Sequence, residues 1–217
     1  NDSHPQHERA MEYFRKVDAF VGCVYQRFEG IAGDDAIRRF WLLSDHGFCG
    51  IEQEVYLNRW LQEEGYLSFL GDGSGGLSDI HPESVAFCID PGRIYINARD
   101  RFPRGSVSTE KIVTISEEIS GKLGNLRYKD QPVIRKVLRR DDAYAGPIAS
   151  QGPDLVALSN YGFDLKGTLA ADAVFGRSDL TGMHTWDDAF VLTGAPVAEP
   201  AFIWDLSGAI LTEIGIG

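Results

Sequence analysis

An apolar run that stops at an acid, an imidazole and a glycine is the strongest local constraint in this chain. Phe40-Trp41-Leu42-Leu43 leads straight into Ser44-Asp45-His46-Gly47-Phe48. Four large apolar residues in a row read as a buried strand, and the following polar residues read as a loop at its end. Gly47 lets the backbone turn sharply enough for both preceding side chains to face one point. Asp45 and His46 offer one hard oxygen and one borderline nitrogen, a pair suited to zinc or manganese. The plainer alternative is a strand-end turn in which the Asp caps the next segment. A second histidine far downstream, in Gly182-Met183-His184-Thr185-Trp186-Asp187-Asp188, again adjoins an apolar run, Ala189-Phe190-Val191-Leu192.

The rest of the chain alternates in character. Met11, Phe14, Val17, Phe20, Val21 and Val24 recur at helical spacing between Glu8 and Arg27, predicting an amphipathic helix packed on the core. Arg38 to Ser44 is expected as a strand, and Glu52 to Leu67 as a helix burying Val55, Leu57, Trp60 and Leu61. Gly71 to Gly76 lacks the Lys-Ser/Thr ending of a phosphate-cradling loop and reads as a linker or lid. Val85–Ile89 and Arg93–Asn97 flank Asp90-Pro91-Gly92, which predicts a β-hairpin. Thr109 to Leu123 reads as a helix opened by Ser108 or Thr109, and Gln131 to Arg140 as a short strand or helix. Asp154–Ser159 and Ala189–Thr193 suit buried strands, and Phe202–Ile214 a closing helix. Interleaved strands and helices predict an α/β fold, a mixed β-sheet between helical layers.

Composition narrows the partners. A chain of 217 residues can bury a sizeable core, and 43% apolar with 24% charged residues is ordinary for a globular protein. The formal charge of −11 argues against nonspecific binding to nucleic acid or to an anionic membrane. An anionic substrate stays compatible, because bound cations reverse the local sign of a site. No apolar stretch approaches the roughly 20 residues that span a bilayer. The odd cysteines Cys23, Cys49 and Cys88 have no CxxC spacing and fit a reducing, cytoplasmic setting. Cys49 is read as a small buried apolar residue rather than a thiolate ligand.

These segments together carry a resemblance. Ser44-Asp45-His46-Gly47-Phe48, Asn58-Arg59-Trp60-Leu61, Gly65-Tyr66-Leu67, Gly92-Arg93-Ile94-Tyr95-Ile96-Asn97, Pro153-Asp154-Leu155-Val156, Gly162-Phe163-Asp164-Leu165-Lys166-Gly167 and Gly182-Met183-His184-Thr185 come in one collinear order. Trp204-Asp205-Leu206-Ser207, leading to Leu211 and Gly215, continues it. The order resembles the type I phosphodiesterase/nucleotide pyrophosphatase branch of the alkaline phosphatase superfamily.

The resemblance implies a three-layer α/β sandwich and a hydrolase of phosphodiester, pyrophosphate or phosphomonoester bonds that uses two divalent metal ions, zinc or manganese. Asp45 and His46 match the Asp-His pair that helps hold the metal touching a Thr or Ser nucleophile. His184 matches the late His that helps hold the other metal. The family's early Asp, its nucleophile and its Asp-x-x-x-His motif find no matching position here. The expectation is therefore the C-terminal portion of a longer enzyme, inactive by itself, with its core in 1–67 and 131–217 and a smaller β-containing subdomain in 68–130. Asp187 and Asp188 would orient His184 or stand as solvated loop acids, and Asn97 would contact substrate. His4, His7 and His81 are read as terminal or turn residues, Tyr25, Trp41 and Trp60 as core or cleft wall, and Asp164 with Lys166 as a surface ion pair. A phosphoglycerate-mutase-like phosphotransferase and a non-catalytic binding domain on the same fold stay open beside the hydrolase.

Overall fold

The computed structural model describes residues 4–31, 40–193, 202–213 and 215. Along the chain come α1 (His7–Ile31), β1 (Trp41–Leu43), β2 (Gly47–Gly50), β3 (Gln53–Tyr56) and α2 (Leu57–Glu63). A hairpin of β4 (Ala86–Asp90) and β5 (Arg93–Ile96) precedes α3 (Ile112–Gly124). Then follow β6 (Arg127–Tyr128), β7 (Gln131–Pro132), β8 (Ile134–Arg139), α4 (Arg140–Ala143) and β9 (Leu155–Ser159). The chain continues through β10 (Phe163–Lys166), β11 (Phe175–Gly176), β12 (Gly182–Thr185), β13 (Val191–Thr193) and α5 (Asp205–Glu213). The fold is mixed α/β, as expected, with its strands shared among several small sheets. Arg38, Arg39 and Ile214, at the ends of expected elements, lie outside the described residues.

Two compact units divide the chain: Asn1–Gly47 with Trp186–Gly217, and Phe48–Thr185. The second unit holds nearly all of the buried surface. Its largest sheet has the order β4-β5-β9-β8, every neighbour antiparallel. Its side chains alternate: Leu155, Ala157 and Ser159 of β9 are buried while Val156 and Leu158 are half-buried. The turn between β4 and β5 is where glycine is required. Gly92 has φ +73°, and a Cβ there would press on the Ala157 carbonyl. The approach is used: Ala157 N–H donates to Gly92 O at 2.7 Å.

Helix α3 lies against β8 and β5 and buries Ser116, Ile119 and Leu123, a helical stripe. Neither hydroxyl expected to open it caps by bonding the backbone. Thr109 Oγ1 donates instead to Asp100 Oδ2 at 3.2 Å. A second sheet, β10-β3-β11, sets β10 parallel and β11 antiparallel to β3.

That sheet corrects the helix expected over Glu52–Leu67. Gln53–Tyr56 is a strand, and only Leu57–Glu63 is α-helical. Glu52, Gln53 and Glu54 are good helix formers, but β10 and β11 pair with this segment from both sides. Tertiary pairing overrides local propensity. The buried residues themselves are as read: Val55, Leu57, Trp60 and Leu61 all belong to the core.

The first unit contains α1, the antiparallel pair β1–β13 and α5. Here three expectations fail, one of them that of a buried strand over Ala189–Thr193, since β13 leaves Val191 and Leu192 exposed. The α1 spacing is helical over His7–Ile31, yet none of its residues is buried, and Phe14 and Phe20 stay 63% and 69% exposed. The run Phe40–Leu43 forms the expected strand but is only partly covered, with Leu43 exposed. Phe40 meets the rings of Tyr25 and Phe28 at 5.2 and 5.6 Å. Among the described residues, Leu206 of α5 is the one buried side chain of this unit.

Candidate functional site

The Asp-His loop forms where the β1–β13 ladder ends. Leu43 pairs with Val191, Ser44 N–H donates to Phe190 O at 3.0 Å, and Phe190 N–H donates back to Ser44 Oγ at 3.0 Å. Beyond Ser44 the strand pairing stops and Asp45 and His46 turn out of it. The glycine that follows leaves room for a neighbouring carboxylate. A Cβ at Gly47 would overlap the Asp188 carboxylate. Asp188 therefore stands against the backbone of the Asp-His-Gly turn.

The imidazole is oriented by its own neighbour. His46 Nδ1 lies 2.8 Å from Gly47 O. A carbonyl can only accept, so Nδ1 carries a proton, and Nε2 is the nitrogen turned toward Asp45. Nε2 lies 3.5 Å from Asp45 Oδ1. Two ligands on one tetrahedral zinc, each at about 2.0–2.1 Å, stand about 3.3–3.4 Å apart. The nitrogen and oxygen of this pair thus match the spacing of two neighbouring metal ligands. A second hydrogen bond that fixes the tautomer, here to a backbone carbonyl, is also what ligating histidines usually have. Asp45 is exposed and His46 half-buried, so the pair is reachable from solvent. Among the described residues no group of three or more His, Cys, Asp or Glu is gathered in metal-binding geometry.

His184 belongs to the second unit, and Asp187 and Asp188 to the first. In β12 the alternation puts Gly182 and His184 on one face and Met183 and Thr185 on the other. His184 is exposed and Thr185 buried. Strand β2 pairs with β12, and the Phe48 ring occupies the space a Cβ at Gly182 would need. The same ring lies 5.8 Å from the His184 imidazole, tilted by 53°. Gly182 and Phe48, both parts of the sequence motifs, are thus explained by a close approach of the two strands.

Asn97 is buried and acts as a brace. Its Nδ2 donates to Ser84 O at 2.8 Å and to Arg104 O at 3.2 Å, holding the loop that follows the hairpin. Asn58 plays a comparable part at the start of α2. Its Nδ2 reaches Cys88 O at 2.6 Å and Gly167 O at 2.9 Å, and its Oδ1 accepts from Cys88 N–H at 2.8 Å. One amide therefore ties α2 to β4 and to the turn after β10. Burial pushes the Cys88 thiol up to about 12, so this cysteine is an inert core residue. Cys49 is half-buried and Cys23 exposed.

Two polar clusters were not foreseen. Asp154, buried, receives Ile96 N–H at 2.8 Å and is flanked by Arg101 at 3.1 Å and by Arg140. Burial raises its carboxyl above the ordinary value, against the pull of that N–H and both guanidinium groups. Glu54, buried in β3, accepts from Ser178 Oγ at 2.6 Å and from Tyr56 OH at 2.7 Å, with Lys166 Nζ at 3.6 Å. Burial would raise Glu54, but these partners together hold it below its ordinary value. Lys166 also pairs with Asp164 at 2.6 Å, as expected, though its link to Glu54 makes it more than a surface pair. Asp154, Asp164 and Lys166 all sat in motif segments of the sequence. Asp154 draws its partners from 14 to 58 positions away, and Lys166 reaches Glu54 more than 100 positions away, beyond local pattern.

The remaining histidines read as ordinary. His4 Nδ1 accepts from Gln6 N–H, and His81 Nδ1 from Glu83 N–H, each within a local turn.

The α/β chain thus presents a carboxylate and an oriented imidazole on a strand-end loop. Comparison with family profiles supplies the class: the profile described as type I phosphodiesterase / nucleotide pyrophosphatase matches residues 2–187. The chain belongs to that family. Comparison with curated proteins and with solved structures gives no match.

Proposed function

We propose that this chain carries part of the metal site of a phosphodiesterase or pyrophosphatase, with Asp45 and His46 holding one divalent cation and His184 contributing to a second. The observation that carries the reading is the His46 geometry. Its Nδ1–H is committed to Gly47 O, and its Nε2 stands 3.5 Å from Asp45 Oδ1. Zinc fits that nitrogen-oxygen pair, and manganese is the second choice.

A bound divalent cation supplies positive charge to phosphoryl oxygens and to the attacking and leaving oxygens. The residues of this chain do the holding. Asp45 brings a negative oxygen and His46 a neutral nitrogen, while Gly47 O keeps the imidazole from rotating. The Asp188 carboxylate lies against Gly47, on the backbone of the same turn. Charge compensation of this kind would let a chain of formal charge −11 accept a phosphate ester.

No residue of this chain is assigned as the nucleophile. Asp45, His46 and His184 fall short of the ligands that two cations need. We therefore expect the 217 residues alone to bind zinc but to hydrolyse phosphodiesters barely or not at all. Zinc titration by calorimetry, beside hydrolysis of bis(p-nitrophenyl) phosphate, tests both parts. Loss of zinc binding in Asp45→Ala, with slow or absent hydrolysis by the wild type, is the expected pattern. Robust zinc-dependent turnover would overturn the inactivity. Failure of the wild type to bind zinc or manganese would favour a non-catalytic binding domain.

A further inference from the structure

A cleft of about 350 Å3 opens in the second unit, beside the β4–β5 hairpin. Its walls are apolar, formed chiefly by Leu77, Ile80, Phe87 and Phe102. That volume is at the small end of what ligand sites occupy, enough for a single ring with short substituents. Ser78, His81, Asn97 and Arg104 also line it, and the last two keep bonding capacity that no described residue fills.

The first is Asn97, only 3% exposed. Its amide nitrogen is spent on Ser84 O and Arg104 O. Its Oδ1 accepts no hydrogen bond from the described residues, and it is not among the atoms sealed inside protein without a partner. Asn97 lines the cleft, and its Oδ1 keeps accepting capacity that no described residue fills. An acceptor of this kind is open to a donor from water or from a ligand.

The second is Arg104, at the rim. Its Nη2 donates to Leu77 O at 3.1 Å and to Ser78 O at 3.0 Å. Those bonds hold the guanidinium at the cleft, while its Nε and Nη1 keep their donors. No carboxylate among the described residues pairs with it.

We propose that this cleft binds a small aromatic carboxylate bearing a hydroxyl or amino hydrogen-bond donor. The ring fills the apolar space, the carboxylate meets Arg104, and the donor satisfies Asn97 Oδ1. One unpaired guanidinium balances one negative charge, which selects a carboxylate over a doubly charged phosphate monoester. The proposal stands apart from the metal site and does not depend on it.

The test is calorimetric titration of 4-hydroxybenzoate into the whole chain, with two analogues as controls. 4-Hydroxybenzyl alcohol lacks the charge, and benzoate lacks the donor. The account predicts saturable binding of 4-hydroxybenzoate at one site, with each analogue weaker by about tenfold, the scale of one lost hydrogen bond to a charged or buried group. Leu77→Trp, which fills the cleft from an exposed position, should abolish binding. Arg104→Gln keeps donors for the two carbonyls but removes the charge, and should weaken the acid without affecting the alcohol. The proposal is overturned if 4-hydroxybenzoate shows no saturable binding, if the alcohol binds as well as the acid, or if Leu77→Trp binds like the wild type. Should a variant fail to fold, the ligand series on the wild type still decides the matter.

Discussion

The two units of this protein are built on different principles. In Phe48–Thr185, strands and helices converge on one apolar cluster, with Leu57, Leu61, Ile94, Ile96, Ile119, Leu123 and Leu155 fully buried. In Asn1–Gly47 with Trp186–Gly217, helix α1 runs for 25 residues without burying one of them. Yet the first unit carries Asp45, His46, Asp187 and Asp188. The contrast teaches that the residues most suggestive of chemistry sit where the chain's own packing contributes least. Stability is concentrated in one unit and the candidate metal pair in the other.

Mutations can break or sharpen this contrast. The largest effect belongs to Leu155→Ala in the central strand β9, which should cost about 2–5 kcal/mol, the range for a buried leucine that leaves a cavity. Urea unfolding followed by tryptophan fluorescence measures it. Next comes Asn58→Ala, which removes the partner of three carbonyls and one N–H and should cost about 1–3 kcal/mol in the same assay. A value near zero would mean that this amide does not hold α2 to β4.

Glu54 gives a smaller effect whose sign follows from its environment. The folded carboxyl lies below its ordinary value of 4.5, so between those two values the unfolded chain binds more protons. Its contribution is fully present above pH 4.5 and is lost as the pH falls through the folded value. Unfolding measured across the acid range should therefore show a shallower loss of stability in Glu54→Gln than in the wild type. The smallest effect is assigned to α1. Phe20→Ser should change stability by no more than about 0.5 kcal/mol, as for an ordinary surface substitution. A cost comparable to that of Leu155→Ala would erase the distinction between the units.

The sequence revealed those parts whose cause is local. The β4–β5 hairpin was readable because Pro91 and Gly92 suit a tight turn, and α3 because its apolar residues recur at helical spacing. The Asp-His loop was readable because an apolar run stops there. Strand β3 was not, since Glu52, Gln53 and Glu54 carry helix propensity and their pairing partners lie more than 100 positions downstream. The burial of α1 was misjudged for a related reason. Periodicity shows that a helix has an apolar face but not that anything covers it.

At the site, Asp45 and His46 could be singled out from residue types alone. The bond that orients His46 could not, because it depends on the backbone conformation of Gly47. The fit of Asp188 against Gly47 joins positions 141 apart and was equally out of reach. The clusters around Asp154 and Glu54 were missed for the same reason: each acid lay in plain sight, but its partners come from distant elements.

Hydrogen exchange read by mass spectrometry, with and without zinc, tests the central claim most directly. Without metal, peptides from β5, β8 and β9 should exchange slowly while α1 exchanges fast. Zinc should then slow exchange across residues 44–47 and leave β9 unchanged. If α1 is protected as well as β9, or if zinc leaves residues 44–47 unaltered, the division between a stabilising unit and a metal-binding one is wrong.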